Sequence, residues 1–223
     1  KTVLLVGSSI AASYAYNLAY DLDKENKFIP MTAGGCMFIE DYIKVYENKE
    51  YTALCDEEYM KNVQKIIDKN QPSYIVYAGS FILDAGNGTW FLKKFSSEFN
   101  DALLVKDFKK HLYNLLDNNI VILIYPYPDS PYTDPLKKIH LNELKSKFFG
   151  KKNSYLPIDK DANYKSFNRA REIRIYDSIV HKNLVRVKPL DIICKQTNDC
   201  SSVAAGKYLF SNEDHPTYYG SSL

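Results

Sequence analysis

The chain is poor in the features that would place it outside the class of ordinary soluble domains. No apolar run reaches the roughly 18 residues that a membrane-spanning helix requires, and the first residues carry no signal-peptide pattern. Twenty-nine Lys and Arg residues nearly balance 27 Asp and Glu, for a net charge of +2. The basic residues are spread along the chain, so no concentrated patch points to a nucleic-acid partner; Lys137 with Lys138 and Lys151 with Lys152 read as solvated pairs. The four cysteines lack C-x-x-C spacing and have no histidine near them, which excludes the usual zinc patterns, and neither a metal nor a cofactor is expected. There is no internal repeat or low-complexity segment. What remains is 223 residues, 45% hydrophobic and 25% charged, which suit one globular domain with a full core.

The two ends suggest a fragment. Lys1 stands directly before a strand, and Tyr218 to Leu223 resembles the opening of a helix that stops short. The expectation is a single domain, 1–223, cut from a longer polypeptide.

Strand and helix signals alternate along the chain. Val3-Leu4-Leu5-Val6 is a continuous apolar run, followed by the tight turn Gly7-Ser8-Ser9 and a helical stretch from Ile10 to Tyr20. Phe28 to Met31 reads as a short strand, Glu57 to Lys69 as a helix with Met60, Val63, Ile66 and Ile67 on its apolar side, and Ser73 to Tyr77 as the next strand. Phe108 to Asp117 predicts another helix, leading to the most apolar stretch, Ile120 to Ile124, a central parallel strand. The proline-rich loop from Tyr125 to Pro131 ends that strand. Arg169 to His181 is helical, and Leu184 to Val187 is the last strand. Such alternation predicts an α/β fold with a parallel sheet of about five strands and helices on both faces. Ligands in such folds bind beyond the carboxyl ends of the strands.

Cys194 and Cys200 bracket a short polar segment, and Cys36 and Cys55 a longer one that also reads as polar. Four cysteines allow three connectivities; proximity favours 36 with 55 and 194 with 200, bridges worth about 3 and about 2 kcal/mol by loop entropy. Four free, buried cysteines are the competing reading.

Two residues invite a chemical role. Ser9 lies where the first strand turns into the first helix, which would put its hydroxyl at the carboxyl edge of the sheet, with nearby amides directed at an oxyanion. Read alone, it is as simply explained as the helix N-cap. His215 sits in a polar loop, Asn212 to Thr217, just before a helical start, a suitable place for a general base. His111 on a polar helix face, and His140 and His181 in lysine-containing stretches, read as solvated surface residues. Tyr125, Tyr127 and Tyr132 could line a groove, although most of the 19 Tyr and 11 Phe are better explained as core or surface filler.

Taken together, the two ends resemble the SGNH family. Val3 to Ala11 is similar to its first block, a hydrophobic strand before Gly-Asp-Ser or Gly-Asn-Ser, and Asn212 to Gly220 to its last, Asp-x-x-His-Leu-Ser-x-x-Gly. Gly35-Cys36, Cys55, the strand ending Tyr77-Ala78-Gly79, the Pro126-Tyr127-Pro128 loop and Cys194 to Cys200 follow the order of the subgroup attached to acyltransferase-three membrane O-acyltransferases.

The resemblance implies a three-layer, flavodoxin-like SGNH fold and favours disulfides 36–55 and 194–200. It implies Ser9 as nucleophile, His215 as base, and an oxyanion hole drawn from Ser9, Gly35 and Gly79. It implies an extracytosolic domain of a membrane protein that transfers or hydrolyses an O-acyl group, acetyl being the expected one, on a carbohydrate or similar hydroxyl acceptor, with the membrane domain supplying the acyl donor. Two departures stand out. Asn212 replaces the aspartate three residues before the histidine, leaving Asn212 or Asp214 to orient the imidazole. Gly79-Ser80-Phe81 lacks the asparagine that many members place in the oxyanion hole. Asn212 keeps a second possibility in view, a catalytically degenerate scaffold or binding module.

Overall fold

The alternation of apolar side chains in three short strands decides how the layers assemble. In the computed structural model, which describes residues 1–22, 25–36, 38–39, 41–46, 55–79, 89–93, 100–128, 130–131, 135–150, 158, 167–197, 200–205, 207–211 and 215–223, strand β1 spans Thr2–Gly7, β2 Lys27–Thr32, β4 Tyr74–Ala78, β6 Ile120–Ile124 and β7 Leu184–Val187. These form one parallel sheet in the order β2-β1-β4-β6-β7. Successive strand residues point to opposite faces, and β1 divides accordingly. Leu4 and Val6 join Ile75, Tyr77, Val121 and Leu123 in the core on one face, while Val3 and Leu5 join Val76, Ala78 and Ile124 on the other.

Each face has its helices. Helices α2 (Glu57–Lys69), α3 (Asp101–Asn118) and α5 (Phe167–Asp177) pack Met60, Val63, Phe108, Leu112 and Tyr176 against the first face. Helix α1 (Ser9–Asp21) covers the second with Ala11, Tyr14, Ala15 and Leu18. Buried on both sides, β1 tolerates little change: Leu4→Ala would cost about 2–5 kcal/mol. Pro30 lies in β2, the sheet's edge, where a residue without an N–H leaves no inner ladder bond unmade.

The remaining described elements lie outside this sheet. Helix α4 spans Pro135–Phe149 and helix α6 Pro189–Thr197, strands β3 (Tyr42–Tyr46) and β5 (Thr89–Lys93) pair antiparallel, and β8 (Val203–Ala204) pairs with β9 (Lys207–Tyr208). Ile193, Cys200, Tyr208, Leu209 and Phe210 gather around Tyr127 in a small second core. Helix α7, Tyr218–Ser221, follows it. Among the described residues, no helix is long and apolar enough to cross a membrane.

Several expectations need correction. The helix predicted to begin at Phe108 begins at Asp101, because the Asn100 side chain accepts the Leu103 amide at 3.0 Å and caps it. The helix predicted to run to His181 ends at Asp177, where Ser178 turns its hydroxyl onto the Ile175 carbonyl at 2.6 Å. The segment after Cys36 is not simply polar, since Phe38, Ile39 and Tyr42 are buried in the main core. His111 is not a surface residue: it is 4% exposed, packs edge-on against Phe38 with ring centroids 4.7 Å apart, and its Nε2 has no partner among the described residues. Burial lowers its pKa to about 4. Tyr125 and Tyr127 are buried, in line with the favoured reading of the tyrosines as core, and Tyr127 also lines a hollow beside α1; Tyr132 lies outside the described residues.

Candidate active site

The sheet order reverses between β1 and β4: β1 is followed by β2 on one side, and the chain then returns to β4 on the other. Crevices at the carboxyl ends of strands at such a point are where open α/β sheets take ligands. Gly7 closes β1 here with φ +144°, and a β-carbon on it would overlap the carbonyl oxygen of Ala78. Only glycine lets the two strand ends come this close. The Ser8 amide then donates to that same Ala78 oxygen at 3.2 Å.

Ser8, not Ser9, caps α1. Its extended backbone and its Oγ, which accepts the Ile10 amide at 3.3 Å, make it the N-cap. Ser9 is thereby the first helical residue and half-buried, its hydroxyl free of capping duty. The first turn of α1 carries no acidic residue, so the positive end of the helix dipole acts unopposed by a carboxylate on that turn.

His215 reaches this point from the other end of the chain. The Ser211 amide and hydroxyl donate to its carbonyl at 2.9 and 3.2 Å, Phe210 and Pro216 form an antiparallel bridge, and the Thr217 amide donates to Leu209 O at 2.9 Å. Asn17 of α1 holds the following turn through the Tyr218 carbonyl at 2.9 Å and the Ser221 hydroxyl at 2.7 Å. The outcome is that Ser9 Oγ and His215 Nε2 stand 2.7 Å apart, across 206 positions of sequence. A hydroxyl and an imidazole at that separation can exchange a proton directly.

A family model described as "SGNH domain (fused to AT3 domains)" matches residues 1–223. The chain belongs to this SGNH family. No curated protein matches it. Membership makes this a domain of hydrolase or acyltransferase type, in a family whose domain is fused to acyltransferase-three domains.

Other residues of the SGNH domain flank the pair. Gly35 lies in the turn after β2 with φ +68°, a turn tied to β1 by the Ala33 amide on Gly7 O at 3.1 Å. Gly79, with φ +143°, follows β4, and its carbonyl accepts the Tyr176 hydroxyl at 3.1 Å. Because Ala78 O faces Ser8 N, the trans peptide turns the Gly79 N–H the opposite way, towards β6. Asn212 and Asp214 lie outside the described residues. Both disulfides, Cys36–Cys55 and Cys194–Cys200, are present; the first follows the Gly35 turn and the second lies in the small core beneath the His215 segment. Among the described residues no group of three or more His, Cys, Asp or Glu could hold a metal ion. Hollows of about 380 Å³ between β3 and α2 and about 280 Å³ beside α1 are lined by neither Ser9 nor His215. Among the described residues the site therefore lies at the strand edge rather than in either hollow.

Sequence reasoning missed Ser8 as the cap and Tyr127 as a buried anchor. The first was discoverable in principle, since two adjacent serines before a helix leave the choice of cap open. The second was not, because the partner of Tyr127 lies 82 positions away.

Proposed function

We propose that this domain transfers an O-acyl group, acetyl in the simplest case, to or from a hydroxyl on a carbohydrate or similar acceptor, through an acyl-enzyme on Ser9. The observation that carries this reading is the 2.7 Å approach of Ser9 Oγ to His215 Nε2. As Oγ attacks the acyl carbonyl, His215 takes its proton, and the departing alcohol receives that proton when its bond to the carbonyl carbon breaks. An incoming hydroxyl, whether of an acceptor or of water, then gives its proton to His215 and attacks the acyl-serine, and Ser9 leaves with the proton returned. The Ser9 amide at the start of α1 and the Gly35 turn are the donors for the oxyanion; the direction of the Gly79 amide makes it the weaker candidate. Asn212 or Asp214 orients the imidazole.

The two disulfides and the family's fusion to acyltransferase-three domains support an extracytosolic place for 1–223, as one unit of a longer membrane protein whose membrane part delivers the acyl group. A scaffold without chemistry is the second reading, favoured only by asparagine at position 212; it offers no reason for the serine and histidine to meet. The test is labelling with a fluorophosphonate followed by peptide mass spectrometry, then turnover of acetyl esters with and without sugar acceptors. Labelling of Ser9, lost in Ser9→Ala and His215→Ala, is the expected result; an unlabelled folded protein with no turnover would leave the scaffold.

A further inference from the structure

One of the groups that hold the segment carrying His215 is the carbonyl of Leu209. This oxygen accepts the Thr217 amide at 2.9 Å and the Tyr127 hydroxyl at 3.2 Å, which uses both of its lone pairs. Thr217 stands two residues beyond His215, and its own hydroxyl donates to Tyr208 O at 2.8 Å while accepting the Gly220 amide at 2.9 Å. Gly220 completes the fit: a β-carbon there would strike Leu209 O and the Tyr127 hydroxyl.

Tyr127 is itself held from the opposite side. It follows β6 in the proline-rich loop, it is 1% exposed, and its ring meets Phe210 edge-on with centroids 5.3 Å apart. Its carbonyl accepts from the guanidinium of Arg169, a buried residue of α5. A phenylalanine would fill the same space without a buried hydroxyl, which costs stability unless it is bonded. Among the described residues the hydroxyl's hydrogen bond is to Leu209 O.

We propose that Tyr127, fixed through its carbonyl by Arg169, is a positioning residue for His215, setting the reach of the imidazole towards Ser9 through the Leu209 carbonyl. It touches no reacting atom. The proposal rests on the reading of Ser9 and His215 as nucleophile and base, for which errors of about 1 Å in placement can cost up to about a hundredfold in rate.

The experiment uses the full chain and a fluorophosphonate, measuring both the maximal inactivation rate and the half-saturating probe concentration at Ser9, per folded molecule judged by circular dichroism. Tyr127→Phe should lower the maximal rate roughly tenfold with half-saturation unchanged. Tyr125→Phe is the comparison, since it removes a phenol from a neighbouring buried tyrosine, its hydroxyl partly buried and bonded at 2.7 Å to Asp177 at the end of α5, with no bond to the His215 segment among the described residues. It should lose stability and keep the wild-type rate. Arg169→Lys should show a smaller loss of the same kind, and it serves as the reading if Tyr127→Phe does not fold. A Tyr127→Phe rate equal to wild type, or a loss matched by Tyr125→Phe, overturns the positioning role and leaves the Ser9 reading standing. Failure of wild type to label at Ser9 overturns both.

Discussion

The carbonyl oxygen of Ala78 occupies the place where a side chain on Gly7 would have to stand. Strands β1 and β4 meet there without a side chain between them, and the turn that presents Ser9 begins at that contact. Gly7→Ala should therefore be destabilising by about 3 kcal/mol or more, from backbone strain at φ +144° together with the clash. Urea unfolding gives the number; a loss below about 1 kcal/mol would mean that the strand ends can part.

Adjacent serines with separate duties can be told apart. Ser8→Ala removes the acceptor for the Ile10 amide and should cost about 1 kcal/mol while Ser9 still reacts with a phosphonate. Ser9→Ala should leave the melting temperature within a few degrees of wild type and abolish labelling. The reverse pattern would assign the cap to Ser9.

His111 makes stability depend on pH in a definite direction. Its folded pKa of about 4 lies below its unfolded value, so below about pH 6.5 the unfolded chain binds a proton that the folded chain refuses. Stability should fall as pH drops from about 6.5 to 4, by up to about 3 kcal/mol from this group. His111→Phe, which keeps the edge-on contact with Phe38, should flatten that part of the curve. Denaturant midpoints of both proteins across this range make the comparison, and equal slopes would contradict it.

If Asn212 faces the imidazole, then Asn212→Asp supplies a negative charge that stabilises the imidazolium formed as Ser9 attacks. Ester turnover should rise by roughly tenfold or more. If Asp214 already provides the charge, Asp214→Asn should lower turnover and Asn212→Asp should leave it level. Steady-state assays on the pair distinguish the two arrangements.

The core strands were legible because their signal is local. Ile120–Ile124, Leu184–Val187 and the helix Glu57–Lys69 have the bounds that apolar runs and periodicity predict, since strand and helix periods are set by neighbouring residues. The antiparallel pair β3 and β5 went unread. Its partners lie far apart in sequence, Tyr42 pairing with Lys93 at one end of the register and Tyr46 with Thr89 at the other, and nothing in either segment names the other. The sequence between Cys36 and Cys55 looked polar as a whole, yet Phe38, Ile39 and Tyr42 turn inward because the disulfide and the end of β2 hold them against α3 and the sheet.

What the sequence by itself determined was the five strands of the main sheet with four of the helices that cover it, the family and the two residues with chemistry to offer: each depends on residue type and near spacing. Tertiary structure alone decided that His111 is buried and that His215 comes to 2.7 Å from Ser9. Those outcomes depend on which distant surfaces bury one another. Asn17 on α1 meets Tyr218 and Ser221, Tyr127 meets Leu209, and each contact forms only when the sheet has already brought the two ends of the chain to one edge.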